Sequence, residues 1–160
     1  MCLYFTRKAS AHLLASLLLL PLSAHVFARA AGDTVADIVD SRASSLIKTF
    51  KQFHQNPELG FQEFETAAVI ASHLESLGDP LRTGVGGSGV VSVIENGPGP
   101  VVLFRSDMDA LPLQELADID YASKKTTRDL EGVVVPVMLA CGHDGLAAWL
   151  LGVATVMLTM

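Results

Sequence analysis

The pattern of hydrophobic and polar positions predicts two helices early in the chain. Apolar side chains recur every three or four positions in residues 35–53, which is typical of an amphipathic helix, and either Asp33 or Thr34 is placed to cap its first turn. Residues 63–77 repeat the pattern and stop at Gly78, the residue type that most often follows a helix. We therefore expect two amphipathic helices, each with one face in a core.

The pattern then changes to that of strands. A glycine-rich loop at residues 84–89 leads into the β-branched residues 90–94. The apolar residues 101–104 predict a second strand, which we expect to be buried and to neighbour the first in one sheet. Residues 133–138 predict a further short strand, whereas the polar residues 118–131 predict irregular structure.

Residues 146–160 predict a last helix with almost no polar face. A helix that is apolar all round belongs in the centre of a larger protein, so we expect the chain to be truncated after it. Helices that flank apolar strands indicate an α/β fold.

The first 30 residues have the features of a secretory signal peptide. Arg7 and Lys8 precede an apolar run at residues 13–20, and residues 28–30 form an A-x-A cleavage site. An uncleaved membrane anchor is the alternative, but the run is much shorter than the roughly 20 residues that a span needs. We expect cleavage before Ala31, no stable membrane span afterwards, and a secreted or periplasmic protein.

The charge balance argues against nucleic acid as a partner. The chain has a formal net charge of −6. Three of its eleven basic residues lie in the leader while all seventeen acidic residues follow it, which leaves −9 on the mature part. A domain so acidic repels phosphate backbones.

The second half of the chain contains a cysteine and a histidine with the spacing of metal ligands. Cleavage would remove Cys2 and leave Cys141 as the only cysteine, which excludes a disulfide scaffold. A glycine between Cys141 and His143 lets the backbone turn so that both side chains face one ion, and a thiolate with an imidazole suits zinc or a similar metal. Asp144 is placed to hold the imidazole tautomer or to cap the helix that follows. A small buried cysteine beside a helix-capping histidine remains the alternative, because two ligands do not complete a site.

Asp107 and Asp109 follow the strand predicted at residues 101–104. Ligands of open α/β sheets bind beyond the carboxyl ends of strands. Two carboxylates there are placed to orient a histidine ligand, bind a cation, or act as acid and base. A solvated acidic turn or a helix cap is the alternative.

Three other features have structural interpretations. His54 lies near a helix end, where it is placed to cap carbonyls. His73 is expected at a surface or boundary position of its helix. The glycine-rich loop lacks the Lys and Ser/Thr of a phosphate-binding loop and precedes a strand, which argues against nucleotide binding.

Four sequence blocks together resemble the metal-dependent amidohydrolase and aminoacylase family, which includes hippurate hydrolases, N-acyl-amino-acid hydrolases and the hydrolases of plant auxin conjugates. The blocks follow one another in the family's order over essentially the whole mature chain: FHQNPELGFQE at 53–63, GGSGVV at 86–91, FRSDMDALP at 104–112 and ACGHDG at 140–145.

The resemblance implies a fold and an architecture. The fold is an α/β, mixed-sheet, three-layer metallopeptidase-like catalytic domain, of which residues 31–160 are the N-terminal part. The lid or dimerisation domain and the rest of the catalytic half are then absent, together with the general-base glutamate and later ligands. A homodimer is possible only for the full-length enzyme.

The resemblance also implies an activity. The complete enzyme would hydrolyse the amide bond of small N-acyl amino acids with two divalent metal ions, zinc, manganese or cobalt, which polarise the carbonyl and activate water. Cys141 and His143 match metal ligands, and Asp107 and Asp109 match the acidic pair that supports the site. This chain alone is expected to be inactive.

The chain departs from the family at two positions, where Leu139 and Leu146 replace usual histidines. Two other functions remain as alternatives to the amidohydrolase fragment. One is a non-catalytic exported binding protein that retains part of the fold. The other is a membrane-associated protein anchored by residues 146–160.

Overall fold

The computed structural model describes residues 2–7, 34–78 and 80–160. In chain order its elements are β1 (Cys2–Arg7), α1 (Val35–Gln55), α2 (Phe64–Ser76), β2 (Leu81–Val85), β3 (Gly89–Gly97), β4 (Leu103–Arg105), β5 (Thr126–Arg128), β6 (Val134–Pro136) and α3 (His143–Thr159).

Both early helices are present within two residues of the predicted bounds. Thr34 caps α1, since its hydroxyl accepts from the backbone N–H of Asp37 at 3.2 Å while the Asp37 carboxylate accepts from the N–H of Thr34 at 2.9 Å. Helix α2 is followed by Gly78, whose φ of 78° is the left-handed value that glycine adopts without strain. Ile70 and Leu74 of α2 are fully buried, which confirms the predicted core face.

The main sheet is mixed, as expected, and its strand order is β2-β3-β1-β4. β1 runs parallel to β3 and antiparallel to β4, and it lies between them. The prediction that the strands at 90–94 and 101–104 are neighbours is therefore wrong. The predicted burial of the second is also wrong, since Val101, Val102 and Leu103 are exposed.

β1 falls within the residues that the sequence assigns to a leader. Cleavage before Ala31 would remove this strand and separate β3 from β4. Residues 8–33, which include the apolar run and the cleavage site, lie outside the described residues. The signal peptide therefore remains a prediction.

β5 and β6 form a separate antiparallel pair in which Thr126 faces Pro136. β6 confirms the strand predicted at residues 133–138. β5 lies inside the stretch that was predicted to be irregular. The strand was not predicted because its three residues carry no alternating hydrophobic pattern. Just after β6, Met138 exchanges backbone hydrogen bonds of 2.9 and 3.0 Å with Leu111, which ties this pair to the chain that follows Asp109.

Helix α3 begins at His143, three residues earlier than predicted. Its buried side contributes to the core with α1, α2 and β3: Ala147, Leu150, Leu151 and Ala154. Its other side is open, and Trp149 is 71% exposed. None of the helices in the described ranges is long and apolar enough to cross a membrane.

Candidate metal site at the start of helix α3

The structure brings together two of the residues that the sequence singles out, His143 and Asp109. His143 is the first residue of α3, and Asp109 lies in the loop after β4. The Nδ1 atom of His143 is 2.8 Å from the backbone carbonyl oxygen of Asp109 and 3.2 Å from its carboxylate. A carbonyl oxygen only accepts, so Nδ1 carries the proton, and the lone pair of a neutral ring is on Nε2. This is how proteins commonly orient a metal-binding histidine.

Cys141 lies two residues before His143, in the turn that leads into α3. Its thiol is free and its side chain exposed. The intervening Gly142 has a φ of 76°, a left-handed conformation that a β-carbon would strain. The glycine thus makes the tight turn that the sequence predicts.

Asp107 does not join this pair. Its carboxylate forms an ion pair with Arg105, and both side chains are largely exposed. Of the predicted acidic pair, only Asp109 contacts His143, which fits the supporting role for that residue. The role of Asp107 in the site therefore remains a prediction.

The donor set fits part of a metal site. A thiol and an imidazole with Nε2 free are suitable ligands for a zinc-like ion, and Asp109 fixes the imidazole. Among the described residues, no group of three or more His, Cys, Asp or Glu side chains is arranged to hold a metal ion. A structural zinc site uses four ligands and a catalytic one three plus water, so Cys141 and His143 are only part of a site within the described residues.

Sequence reasoning missed a buried network behind the pair. His54 of α1 lies between two carboxylates: its Nδ1 atom is 2.6 Å from Asp144 and its Nε2 atom 2.8 Å from Glu115. The second oxygen of Glu115 accepts from the backbone N–H of Ser123. The prediction that His54 caps helix carbonyls is wrong. Asp144 does not hold the His143 ring, because its carboxylate contacts His54. It is not the N-cap of α3 either, which is Gly142, although it accepts from the N–H of Gly145 in the first turn at 2.8 Å.

The environment of His54 favours its charged form. Burial alone would lower the pKa of His54, but hydrogen bonds and charge from Glu115 and Asp144 outweigh burial and raise it above its ordinary value. Burial works to raise the pKa of Glu115, yet His54 and the Ser123 N–H lower it. The contacts with Glu115 and Asp144 therefore favour the imidazolium form of His54.

Two further carboxylates, Glu58 and Glu63, belong to the sequence block at 53–63 and anchor it to its surroundings. Glu58 is buried and accepts from the backbone N–H and hydroxyl of Thr66, both at 2.7 Å, so it caps the first turn of α2 from outside the helix. The carbonyl of Glu58 accepts from the N–H of Ala110 at 2.7 Å. Glu63 accepts from the hydroxyl of Ser88 at 2.6 Å and thereby connects α2 to the glycine-rich loop. These contacts hold the chain beside Asp109 in place.

The two leucines that replace the family's usual histidines lie in different surroundings. Leu139 is buried in the main core, where an apolar side chain packs. Leu146 is 41% exposed on α3. His73, expected at a boundary, is half-buried and 3.3 Å from the hydroxyl of Thr155.

Comparison with known proteins identifies relatives over most of the chain. No protein-family model matches it. The chain is 50% identical over 120 residues to YhaA of Bacillus subtilis, a protein named as an amidohydrolase, and the match covers 74% of this chain and 28% of YhaA. It is 40% identical over 112 residues to the IAA-amino acid hydrolase ILR1-like 2 of Arabidopsis thaliana, which covers 70% of this chain and 24% of that protein. It is 37% identical over 129 residues to the N-acyl-L-amino acid amidohydrolase of Geobacillus stearothermophilus, and this match covers 78% of this chain and 31% of that protein.

Solved structures agree with these relatives. A protein of methicillin-resistant Staphylococcus aureus described as an aminohydrolase superposes with a TM-score of 0.62 at 28% identity, over 79% of this chain and 30% of that one. The YXEP protein of Bacillus subtilis, a dinuclear metal binding peptidase from the M20 family, gives 0.56 at 29% identity, over 72% and 31%. The chain spans about a quarter to a third of the length of the relatives it matches. In sequence and in fold, the chain is a homologue of one part of the metal-dependent amidohydrolase and aminoacylase family.

Proposed function

We propose that this chain carries the Cys141 and His143 side of a metal site that, in the complete enzyme, hydrolyses the amide bond of N-acyl amino acids. The observation that carries the proposal is the His143 ring, which Asp109 holds by Nδ1, two residues after the free and exposed Cys141. The names of the relatives from Arabidopsis thaliana and Geobacillus stearothermophilus support the substrate class.

Each residue of the site has a separate task. Asp109 keeps the proton on Nδ1 of His143 and fixes the direction of the ring. Cys141 would bind the ion as a thiolate, as cysteine ligands of zinc do. A bound divalent ion would polarise the scissile carbonyl and lower the pKa of water. The thiol and imidazole favour zinc or cobalt over manganese, which prefers oxygen ligands.

The 160-residue chain alone is expected to show no hydrolysis of N-acetyl or N-benzoyl amino acids in the presence of zinc, manganese or cobalt. Two ligands do not hold a catalytic ion in place, and none of the site contacts above assigns a general base to accept a proton. Release of free amino acid is the measurement. Saturable, metal-dependent turnover by this chain would show that the described residues form a more complete site than we propose.

A chimera tests the proposed activity itself. In the Geobacillus stearothermophilus amidohydrolase, the segment that this chain matches is replaced by the matching residues of this chain. We expect metal-dependent release of the amino acid from N-acyl substrates, and loss of that release when Cys141→Ser is added. A folded chimera that is inactive, or one that tolerates Cys141→Ser, would contradict the proposal.

We also propose that the protein is exported, on the basis of the signal-peptide features in residues 1–30. A mature protein recovered outside the cytoplasm should begin near Ala31, which N-terminal sequencing checks. An exported protein that still carries Met1 would contradict cleavage. The hydrolase names of the relatives do not favour the alternative of a non-catalytic binding protein.

A further inference from the structure

Two adjacent side chains at the start of α3 are anchored to two different parts of the molecule. His143 bonds to Asp109 in the loop after β4, and Asp144 bonds to His54 in α1. Successive residues of a helix point about 100° apart around its axis. Anchoring both therefore fixes the rotation of the first turn of α3 as well as its position.

The anchor on the α1 side is rigid. The His54 side chain is 12% exposed, and its two carboxylate partners are 4% and 1% exposed. The ring of Tyr121 meets it edge-on at 5.2 Å between centroids, and the ring of Phe50 lies at 5.9 Å. His54 has both nitrogens bonded and its ring packed against Tyr121 and Phe50, so it holds Asp144 in one place.

We propose that His54 is a positioning residue for the metal-binding pair: by holding Asp144, it sets the orientation in which α3 presents His143 beside Cys141. The inference rests on the proposed function. The inference goes beyond that function because it assigns a role to His54. This histidine lies 90 residues before Asp144 in the sequence and bonds to neither proposed ligand.

The two nitrogens of His54 allow a test that separates positioning from general support of the fold. The side-chain nitrogen of asparagine stands near the place of Nδ1, and that of glutamine near the place of Nε2. His54→Asn thus keeps a donor for Asp144 and loses Glu115, whereas His54→Gln does the reverse. The two variants remove one buried bond each, and only one of them releases α3.

Cobalt binding to the full 160-residue chain provides the measurement. The thiolate-to-cobalt charge-transfer absorption reports a bond from Cys141 to the metal, and its titration gives the affinity. Residues that orient metal ligands typically contribute about 10-fold to 100-fold in affinity. We expect His54→Gln to weaken cobalt binding about 10-fold and His54→Asn to stay close to the parent chain.

His73→Gln is the matched control, because it changes another half-buried histidine that contacts α3, at Thr155 near the other end of the helix. It should bind cobalt as the parent does. Equal weakening in both His54 variants, no weakening in His54→Gln, or loss of the fold in His54→Gln seen by circular dichroism would overturn the positioning role. If the parent chain itself shows no charge-transfer absorption with cobalt, the proposed metal site is contradicted, and the proposed function is contradicted with it.

Discussion

Replacing Cys141 with serine is expected to abolish binding of zinc-like ions by this chain. The described site offers two donors, so a chain without the thiolate keeps a single imidazole, which does not retain a metal against water. Binding by the parent chain should be weak and should strengthen as pH rises, because the thiol and the imidazole must lose protons before they bind. Competition with a chromophoric chelator measures both affinities.

Two further variants test the same assignment. His143→Ala should weaken binding strongly, since it removes the ring that Asp109 orients. Asp118→Asn, at an exposed position of the polar stretch 118–131, should change nothing. If Cys141→Ser binds zinc as well as the parent chain, the thiol is no ligand, and the relatives describe ancestry without describing a site.

Replacing His54 with alanine is expected to lower the free energy of unfolding by about 3 kcal/mol, the lower end of the range for breaking a buried ion pair. The substitution leaves Glu115 and Asp144 buried beside each other without the cation that joins them. Urea unfolding followed by circular dichroism measures the loss. Lys51→Ala is the control: it removes an exposed ion pair with Asp120 and a cation–π contact with the ring of Tyr121, and it should cost about 1 kcal/mol or less. A loss no larger than that of Lys51→Ala would contradict the buried network.

The same network predicts how stability depends on pH. The pKa of His54 is raised in the folded chain, so its contribution is complete below the ordinary histidine pKa of about 6.5 and is lost as pH rises through the raised value. The pKa of Glu115 is lowered, so its contribution is complete above the ordinary glutamate pKa of about 4.3 and is lost as pH falls through the lowered value. The network should stabilise most between these two ordinary values, and His54→Ala should flatten the alkaline side of the profile.

Local patterns predicted the helices well because each helix depends on contacts a few residues apart. Thr34 caps α1 through Asp37, and Gly78 follows α2, both within one turn of the residues they serve. The pairing of strands could not be predicted in this way. β3 and β4 follow one another in sequence but are separated in the sheet by β1, which comes from the start of the chain, and no local pattern in residues 90–104 indicates that insertion.

The residues of the site that are close together in sequence could be predicted, and those that are far apart could not. Cys141, Gly142 and His143 are adjacent, so their spacing predicted a turn that presents a thiol and an imidazole. Asp109 was found because it follows a predicted strand. Glu115 was missed, since it lies 61 residues from His54 and its surroundings carry no motif. A buried carboxylate is visible only once the fold shows what lies against it.

X-ray absorption at the zinc edge of the metal-loaded chain tests the central claim most directly. We predict one sulfur scatterer at about 2.3 Å, from Cys141, with nitrogen or oxygen scatterers at about 2.0 to 2.1 Å that include His143. A first shell made only of nitrogen and oxygen would contradict the assignment of Cys141 as a metal ligand.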